Sequence, residues 1–234
     1  MIKISKELLE LAQIFEKRSK LYVVGGYIRD SLLNIKNYDI DLTSALLLGE
    51  VEELLQNTNF SIKITNKQFG TAKIIGKNQT YEYCSFREDF YSSGGKHSPK
   101  KIAFVTLLEQ DAKRRDFTIN ALYFDIINNK IIDVFDGLND IKNRLIKAVP
   151  PAENVLSNDG ERLLRMAKFK AKLGFEIDKN TLNCAIKFCN NLNDLSPTTI
   201  QKFLDSIKDF SIKQKQDIKE TLKKLSDNKI SQQI

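Results

Sequence analysis

LYVVGGYIRDSLLNIKNYDIDLTS, residues 21–44, carries the reading of this chain, and the remaining segments are placed around it. LYVV is a short apolar run that ends on Gly25-Gly26, and YIRDSLLN (27–34) follows with helical spacing. The order strand, glycine pair, helix N-terminus offers backbone N–H donors to a phosphate, and glycine leaves room for a close approach. YDIDLTS (38–44) then alternates strictly, which predicts a strand with Asp39 and Asp41 on one face. Two carboxylates so placed repel each other unless a cation lies between them. A hard divalent ion such as Mg²⁺ takes such oxygens together with substrate phosphates. An acid pair beside a phosphate cradle implies metal-assisted phosphoryl or nucleotidyl transfer. By itself, however, Asp-x-Asp is more often a pair of ordinary strand-face residues, so the decision rests on the rest of the chain.

The chain has 234 residues, 37 Lys and Arg against 30 Asp and Glu, a net charge of +7 and 41% hydrophobic residues. Such a length allows one or two domains with a real core. The composition excludes collagen-like, low-complexity and wholly disordered chains. No apolar run approaches the roughly 20 residues that a membrane span needs, and MIKISKELLELAQIFEK (1–17) is a charged amphipathic pattern rather than a signal peptide. The expectation is a soluble, cytoplasmic protein with no membrane partner. Cys84, Cys184 and Cys189 lack metal-ligand spacing and read as small buried hydrophobes. His97 is the only histidine, which argues against Ser-His-Asp and Cys-His nucleophilic catalysis.

Charge is distributed unevenly. Residues 1–137 hold 19 Lys and Arg against 18 Asp and Glu, and the remainder holds 18 against 12. A near-neutral first part and a basic second part suit a catalytic domain joined to a polyanion-binding segment, although a solvated Lys-rich helical surface would look the same. Periodicity predicts an opening amphipathic helix to about Ser19, a helix at 51–56, and strands at 60–65, 71–76, 81–87, 102–106 and 130–135. FTINALYFDI (117–126) reads as helical. Glu88 to Lys101 reads as a mobile loop. After Pro150-Pro151 come helical patterns at 153–173, 179–192 and 197–209, then a Lys-rich end that can form one more helix and fray at SDNKISQQI. The fold class is therefore α+β, with a head at 1–149 and an all-helical extension at 150–234.

Two further blocks carry chemistry. DAKRRDFTINALYFD (111–125) concentrates two arginines beside an acid, and NDGERLLRMAKFKAKLGF (158–175) places Asp159, Arg162, Arg165 and Lys168 every third residue along one helical flank. An Asp and an Arg one turn apart present an acceptor and a fork of donors, the complement of a Watson–Crick edge. They could equally form an i,i+3 salt bridge on a solvated helix.

Together the three blocks resemble the polymerase-β nucleotidyltransferase superfamily, in its class II tRNA nucleotidyltransferase and poly(A) polymerase branch, over roughly residues 21–205. That resemblance implies a polymerase-β-like head of mixed, mostly antiparallel sheet with helices, followed by a helical neck. It implies template-independent addition of C, C and A to the 3′ end of tRNA from CTP and ATP, with release of pyrophosphate. Poly(A) synthesis, CC addition, and nucleotide or RNA binding without turnover are the alternatives.

Carried over residue by residue, Asp39 and Asp41 hold two Mg²⁺ ions, and Glu82 is a candidate third carboxylate or a strand-face Glu paired with Lys. Gly26, Arg29 and Arg165 contact the triphosphate, Arg115 the triphosphate or the base side, Arg165 and Lys168 face phosphates or brace the template, and Asp159 with Arg162 reads the base. Asp116 is expected to orient the neighbouring arginines rather than to perform chemistry. Asn158 stands where the family has Glu, and Lys168 where it has Arg, losing the fork geometry but keeping the charge. FREDFYSSGGKHSPKKIAF (86–104) looks like the long loop of C-and-A-adding members, with His97 as a hinge or surface residue. Full-length members continue into body and tail domains, so the chain is expected to be a fragment, or a short protein that forms a homo-oligomer, uses a partner protein, or grips only the acceptor end.

Overall fold

The computed structural model describes residues 2–91, 99–225, 230 and 233–234. The chain forms two compact units that do not follow a single cut: residues 1–89, 102–115 and 119–138 make one, and 90–101, 116–118 and 139–234 the other.

The first unit begins with α1 (Lys6–Phe15), whose N-cap Ser5 accepts a hydrogen bond from the Leu8 amide. There follow β1 (Tyr22–Val24), α2 (Gly26–Leu32), β2 (Asp41–Ser44), α3 (Leu48–Leu55), β3 (Ser61–Asn66), β4 (Thr71–Ile75) and β5 (Thr80–Ser85). Next come β6 (Arg87–Phe90), β7 (Lys101–Phe104), α4 (Leu108–Lys113), a 3-10 turn at Thr118–Asn120, β8 (Leu122–Asp125) and β9 (Lys130–Asp133). Seven strands make one sheet in the order β3-β4-β5-β2-β1-β8-β9, and β6 with β7 makes a separate ribbon. Every described pairing in the large sheet is antiparallel except β2 with β5.

One face of this sheet is apolar. Val23, Leu42, Ile74, Tyr81 and Tyr83 are buried there, and so are Leu8, Leu11 and Phe15 of α1, with the Phe15 and Tyr83 rings 6.0 Å apart. The other face divides in two. Towards β1 and β8 it carries a second apolar cluster of Val24, Phe86, Leu108, Ala112 and Tyr123. Towards β3 it is polar and exposed.

The second unit is largely helical: α5 (Gly137–Lys142, which starts in the first unit), α6 (Ala152–Asn158), α7 (Glu161–Leu173), α8 (Lys179–Lys187), α9 (Pro197–Ser206) and α10 (Ile212–Leu225). A short parallel pair joins β10 (Leu145–Ile146) to β11 (Glu176–Ile177). Asp178 and Ser196 cap α8 and α9 through their side chains. α10 packs on α7, where Ile218 and Leu222 are buried and Lys170 pairs with Asp217. No helix among the described residues is long and apolar enough to cross a membrane.

The structure corrects the reading of FTINALYFDI. It is a 3-10 turn followed by β8, next to β1 in the sheet. All four residues of β8 are buried, so the segment shows a continuous apolar run rather than alternation, and periodicity alone cannot separate such a strand from a buried helix. The 153–173 pattern is likewise two helices, α6 and α7, parted at Asp159-Gly160. The expected loop at 88–101 is partly ribbon, since Glu88–Phe90 lies in β6 and Lys101 in β7. Its residues 92–98, with His97, lie outside the described residues, as do 226–229 and 231–232 of the expected frayed end.

Phe15→Ala removes a fully buried ring from the α1–sheet interface and is expected to cost about 3–5 kcal/mol. A lowered urea midpoint with unchanged far-UV circular dichroism would register it.

Candidate functional site

In the first unit the candidate residues are organised by sheet register. Directly paired residues present their side chains on the same face. The pairs Lys63–Lys73, Lys73–Glu82, Asp41–Glu82, Val24–Asp41, Val24–Tyr123 and Tyr123–Ile132 therefore make one cross-strand row. Asp41 stands where the row changes from polar to apolar. Glu82 is its neighbour on β5 and pairs with Lys73 at 2.9 Å, the contact expected of a strand-face Glu. Asp39 lies just before β2 instead of within it, but the alternation persists, with Asp39 and Asp41 exposed and Ile40 buried between them.

β1 ends at Gly25, whose amide donates to the Leu122 carbonyl at 3.3 Å. Its φ of +77° lies in the region that L side chains avoid, and a Cβ there would stand 3.7 Å from Asp41 Oδ2. The glycine thus both turns the chain and keeps the space before Asp41 clear. Gly26 opens α2. Among the described residues no three His, Cys, Asp or Glu side chains gather as a metal cluster. Two exposed carboxylates fit Mg²⁺, an ion that commonly takes one or two protein oxygens and completes its shell with water and phosphates.

Arg29, which the resemblance places at the triphosphate, is buried in the first unit. Its side chain is 4% exposed and donates from Nε to Asp30 at 2.8 Å and from Nη1 to Asn120. It ties α2 to the turn before β8.

Arg115 is anchored by a network that the sequence reading passed over. Its Nε donates to the Tyr123 hydroxyl at 2.8 Å and its Nη2 to Asp111 Oδ2 at 2.9 Å, while the Tyr123 hydroxyl donates to the same Asp111 oxygen at 2.6 Å. Arg114 Nε donates to Asp111 Oδ1 at 2.8 Å, and so does the Arg87 amide at 3.2 Å. Burial raises the Asp111 pKa, but the Arg115 and Arg114 charges and the Tyr123 hydroxyl outweigh it and hold the carboxyl well below the ordinary range. Burial also pushes the Tyr123 phenol up, so it stays a donor. Tyr123 belongs to the row that contains Asp41, two strands away at roughly 4.8 Å per strand. The signal was available: Asp111 stands three and four residues before Arg114 and Arg115, the spacing of helical ion pairs.

In the second unit α6 ends at Asn158 and α7 begins at Glu161. Asn191 sets the break: its side-chain amide donates to the Leu156 and Ser157 carbonyls at 3.2 and 2.9 Å. Its backbone lies against Gly160 so closely that a Cβ there would collide with it. Asp159, in the break, accepts from the Glu161 amide at 2.9 Å and stands 3.8 Å from Arg162. Arg162 is buried rather than on a solvated face, and donates to the Val155 carbonyl at 3.1 Å. Lys168 is half-buried on α7.

Asp116 holds Arg165: Arg165 Nε and Nη2 both lie 2.7 Å from Asp116 Oδ2, and the guanidinium stacks 5.2 Å from the Phe169 ring centroid. The Arg165 side chain is 44% exposed.

A family model described as the poly A polymerase head domain matches residues 21–147. The CCA-adding enzyme of Ligilactobacillus salivarius is 38% identical over 183 residues, covering 78% of this chain and 43% of that protein. The crystal structure of the Bacillus stearothermophilus CCA-adding enzyme in complex with CTP aligns at a TM-score of 0.72 and 26% identity, over 92% of this chain and 48% of that one. An apo form of a CCA-adding enzyme shares the fold at a TM-score of 0.80 and 23% identity, over 94% of this chain and 53% of that one. The chain thus spans about half the length of the relatives it matches.

Asp111→Asn leaves two buried guanidinium groups undercompensated and is expected to destabilise the protein by about 3 kcal/mol at neutral pH. Because folding lowers the Asp111 pKa, its contribution is complete above the unfolded carboxylate value near pH 4 and is lost as pH falls below it. Urea unfolding of wild type and variant should therefore differ most at pH 7 and by progressively less below pH 4, with much of the difference still present at pH 3 because the folded carboxyl stays ionised there.

Proposed function

Because the chain belongs to the poly(A) polymerase head-domain family, we propose that it is a nucleotidyltransferase that adds C, C and A to the 3′ end of tRNA from CTP and ATP, without a nucleic-acid template. The observation that supports this best is the row across the sheet, which sets Asp41 beside Glu82, in front of Gly25 and two strands from the anchor of Arg115. In the reaction the terminal 3′-hydroxyl oxygen of the RNA attacks the α-phosphorus, a new phosphodiester forms, and pyrophosphate leaves.

Asp39 and Asp41 would hold the divalent metal, Mg²⁺ as two ions, which supplies activation of the attacking hydroxyl and charge neutralisation on the triphosphate. The other roles belong to the chain. The space kept open by Gly25 and Gly26 admits phosphate oxygens. Arg115 has its Nε and Nη2 committed to Tyr123 and Asp111, so its orientation is fixed before substrate arrives and its charge faces the triphosphate without reorganisation. Arg165, aimed by Asp116 and half-exposed, is the phosphate contact of the second unit, with Lys168 as a weaker one. Arg29 acts by position, holding Asn120 and the start of α2. Asp159 and Arg162 read the base, the one as acceptor and the other as donor.

Incubation with labelled CTP, ATP, GTP or UTP and a tRNA transcript lacking its CCA end tests the proposal at single-nucleotide length. Addition of three residues supports it. Stopping at two indicates a CC-adding enzyme, a long A ladder a poly(A) polymerase, and CTP binding without product a nucleotide-binding module.

Asp41→Ala should lower incorporation at least a thousandfold while the thermal melt stays within a few degrees of wild type; retained activity would overturn the metal assignment. Arg162→Ala should narrow the preference for CTP over UTP while leaving metal affinity unchanged, and an unaltered preference would remove Arg162 from base reading.

A further inference from the structure

Arg162 is held at several points. Its side chain is 9% exposed. Nη1 donates to the Val155 carbonyl at 3.1 Å, and Nη2 donates to the Tyr91 hydroxyl at 3.4 Å. The Tyr91 ring also lies against the guanidinium, with 5.7 Å between Cζ and the ring centroid. Asp159 Oδ2 stands 3.8 Å from Nε, within ion-pair range but beyond a hydrogen bond.

These contacts do different things. Asp159 is short and accepts from the Glu161 amide, so local backbone fixes it. Arg162 is long and needs outside anchors. A guanidinium tethered at Nη1 by the Val155 carbonyl can still swing about that bond. A second point at Nη2, with an aromatic face beside the plane, removes the swing. Cytosine and uracil differ in which Watson–Crick atoms donate and which accept, and a planar fork separates them only while its plane and edge are fixed.

We propose that Tyr91 is a specificity-determining positioning residue: it sets the plane of the Arg162 guanidinium and thereby the stringency of base choice. This rests on the reading of Arg162 as a base reader. A tyrosine that merely occupied the fork would act in the opposite sense, because removing it would free a donor and tighten binding of every nucleotide.

The full 234-residue chain serves for the test, as Tyr91→Phe and Tyr91→Leu, with two readouts. The first is the ¹⁵N-resolved guanidinium signal of Arg162 in the nucleotide-free protein, assigned by its loss in Arg162→Lys. Restricted rotation is expected in wild type, partial averaging in the Phe variant and full averaging in the Leu variant.

The second is the ratio of kcat/KM for CTP to that for UTP. It is expected to fall a few-fold when the hydroxyl is lost and about tenfold when ring and hydroxyl both go, with the change appearing in KM. An unchanged guanidinium signal and ratio in Tyr91→Leu, or tighter binding of both nucleotides, overturns the proposal. If wild type itself does not distinguish CTP from UTP, the base-reading role of Arg162 falls, while the guanidinium signal still decides whether Tyr91 positions it.

Discussion

Asp111 is a carboxylate with no exposed surface, and much of the first unit is arranged around that fact. Removing such a charge from water costs several kcal/mol unless its oxygens are met by donors and by opposite charge. Here two guanidinium groups, a phenol and a backbone amide converge on it. They come from three pieces of chain: Arg114 and Arg115 follow α4, Tyr123 is in β8, and the Arg87 amide opens β6. Satisfying one carboxylate therefore fixes the approach of α4 to the sheet and the place of Arg115 on it. The aromatic side chains complete the enclosure, with Tyr22, Phe86 and Tyr123 at centroid separations between 6.0 and 6.3 Å. Water excluded by those rings is what makes the ion pairs strong.

The local parts of this arrangement are visible in sequence. The alternation that puts Asp39 and Asp41 outside and Ile40 inside survives although β2 begins only at Asp41, because burial of Ile40 sets the phase. Strands that face solvent on one side, such as β5, announce themselves by their period of two. β8 does not, since apolar cover on both faces erases the alternation. The break at Asp159-Gly160 is hidden for another reason. The apolar period runs through it, and what interrupts the helix is Asn191, thirty positions on, whose amide takes the α6 carbonyls. Tyr91 and Arg162 are likewise distant in sequence. Contacts of this kind leave no short-range pattern to read.

Arg29 shows how a correct motif can carry an unexpected task. Its neighbour Asp30 is fully buried, and a buried carboxylate next to an arginine in the same helical turn draws the guanidinium inward. The remaining donor then reaches Asn120, so two blocks that lie 91 residues apart are joined through one side chain.

Each arginine assigned to phosphate or base has a carboxylate of its own: Asp30 for Arg29, Asp111 for Arg115, Asp159 for Arg162 and Asp116 for Arg165. The pairing does not neutralise them equally. Asp30 and Arg29 are both buried, and their mutual charge is spent inside the protein. Asp116 takes the Nε–Nη2 edge of Arg165 through a single oxygen, while its other oxygen accepts from the Phe117 amide. Nearly half of the Arg165 side chain stays in solvent, and its Nη1 meets no partner among the described residues. The guanidinium is thus gripped along one edge by Asp116 and backed by the Phe169 ring, so its plane is fixed while its other edge faces solvent. Lys168, one helical step on, carries the same charge on a flexible stem. An ammonium on such a stem has no plane to fix, so the side chain of defined orientation in this part of the second unit is Arg165.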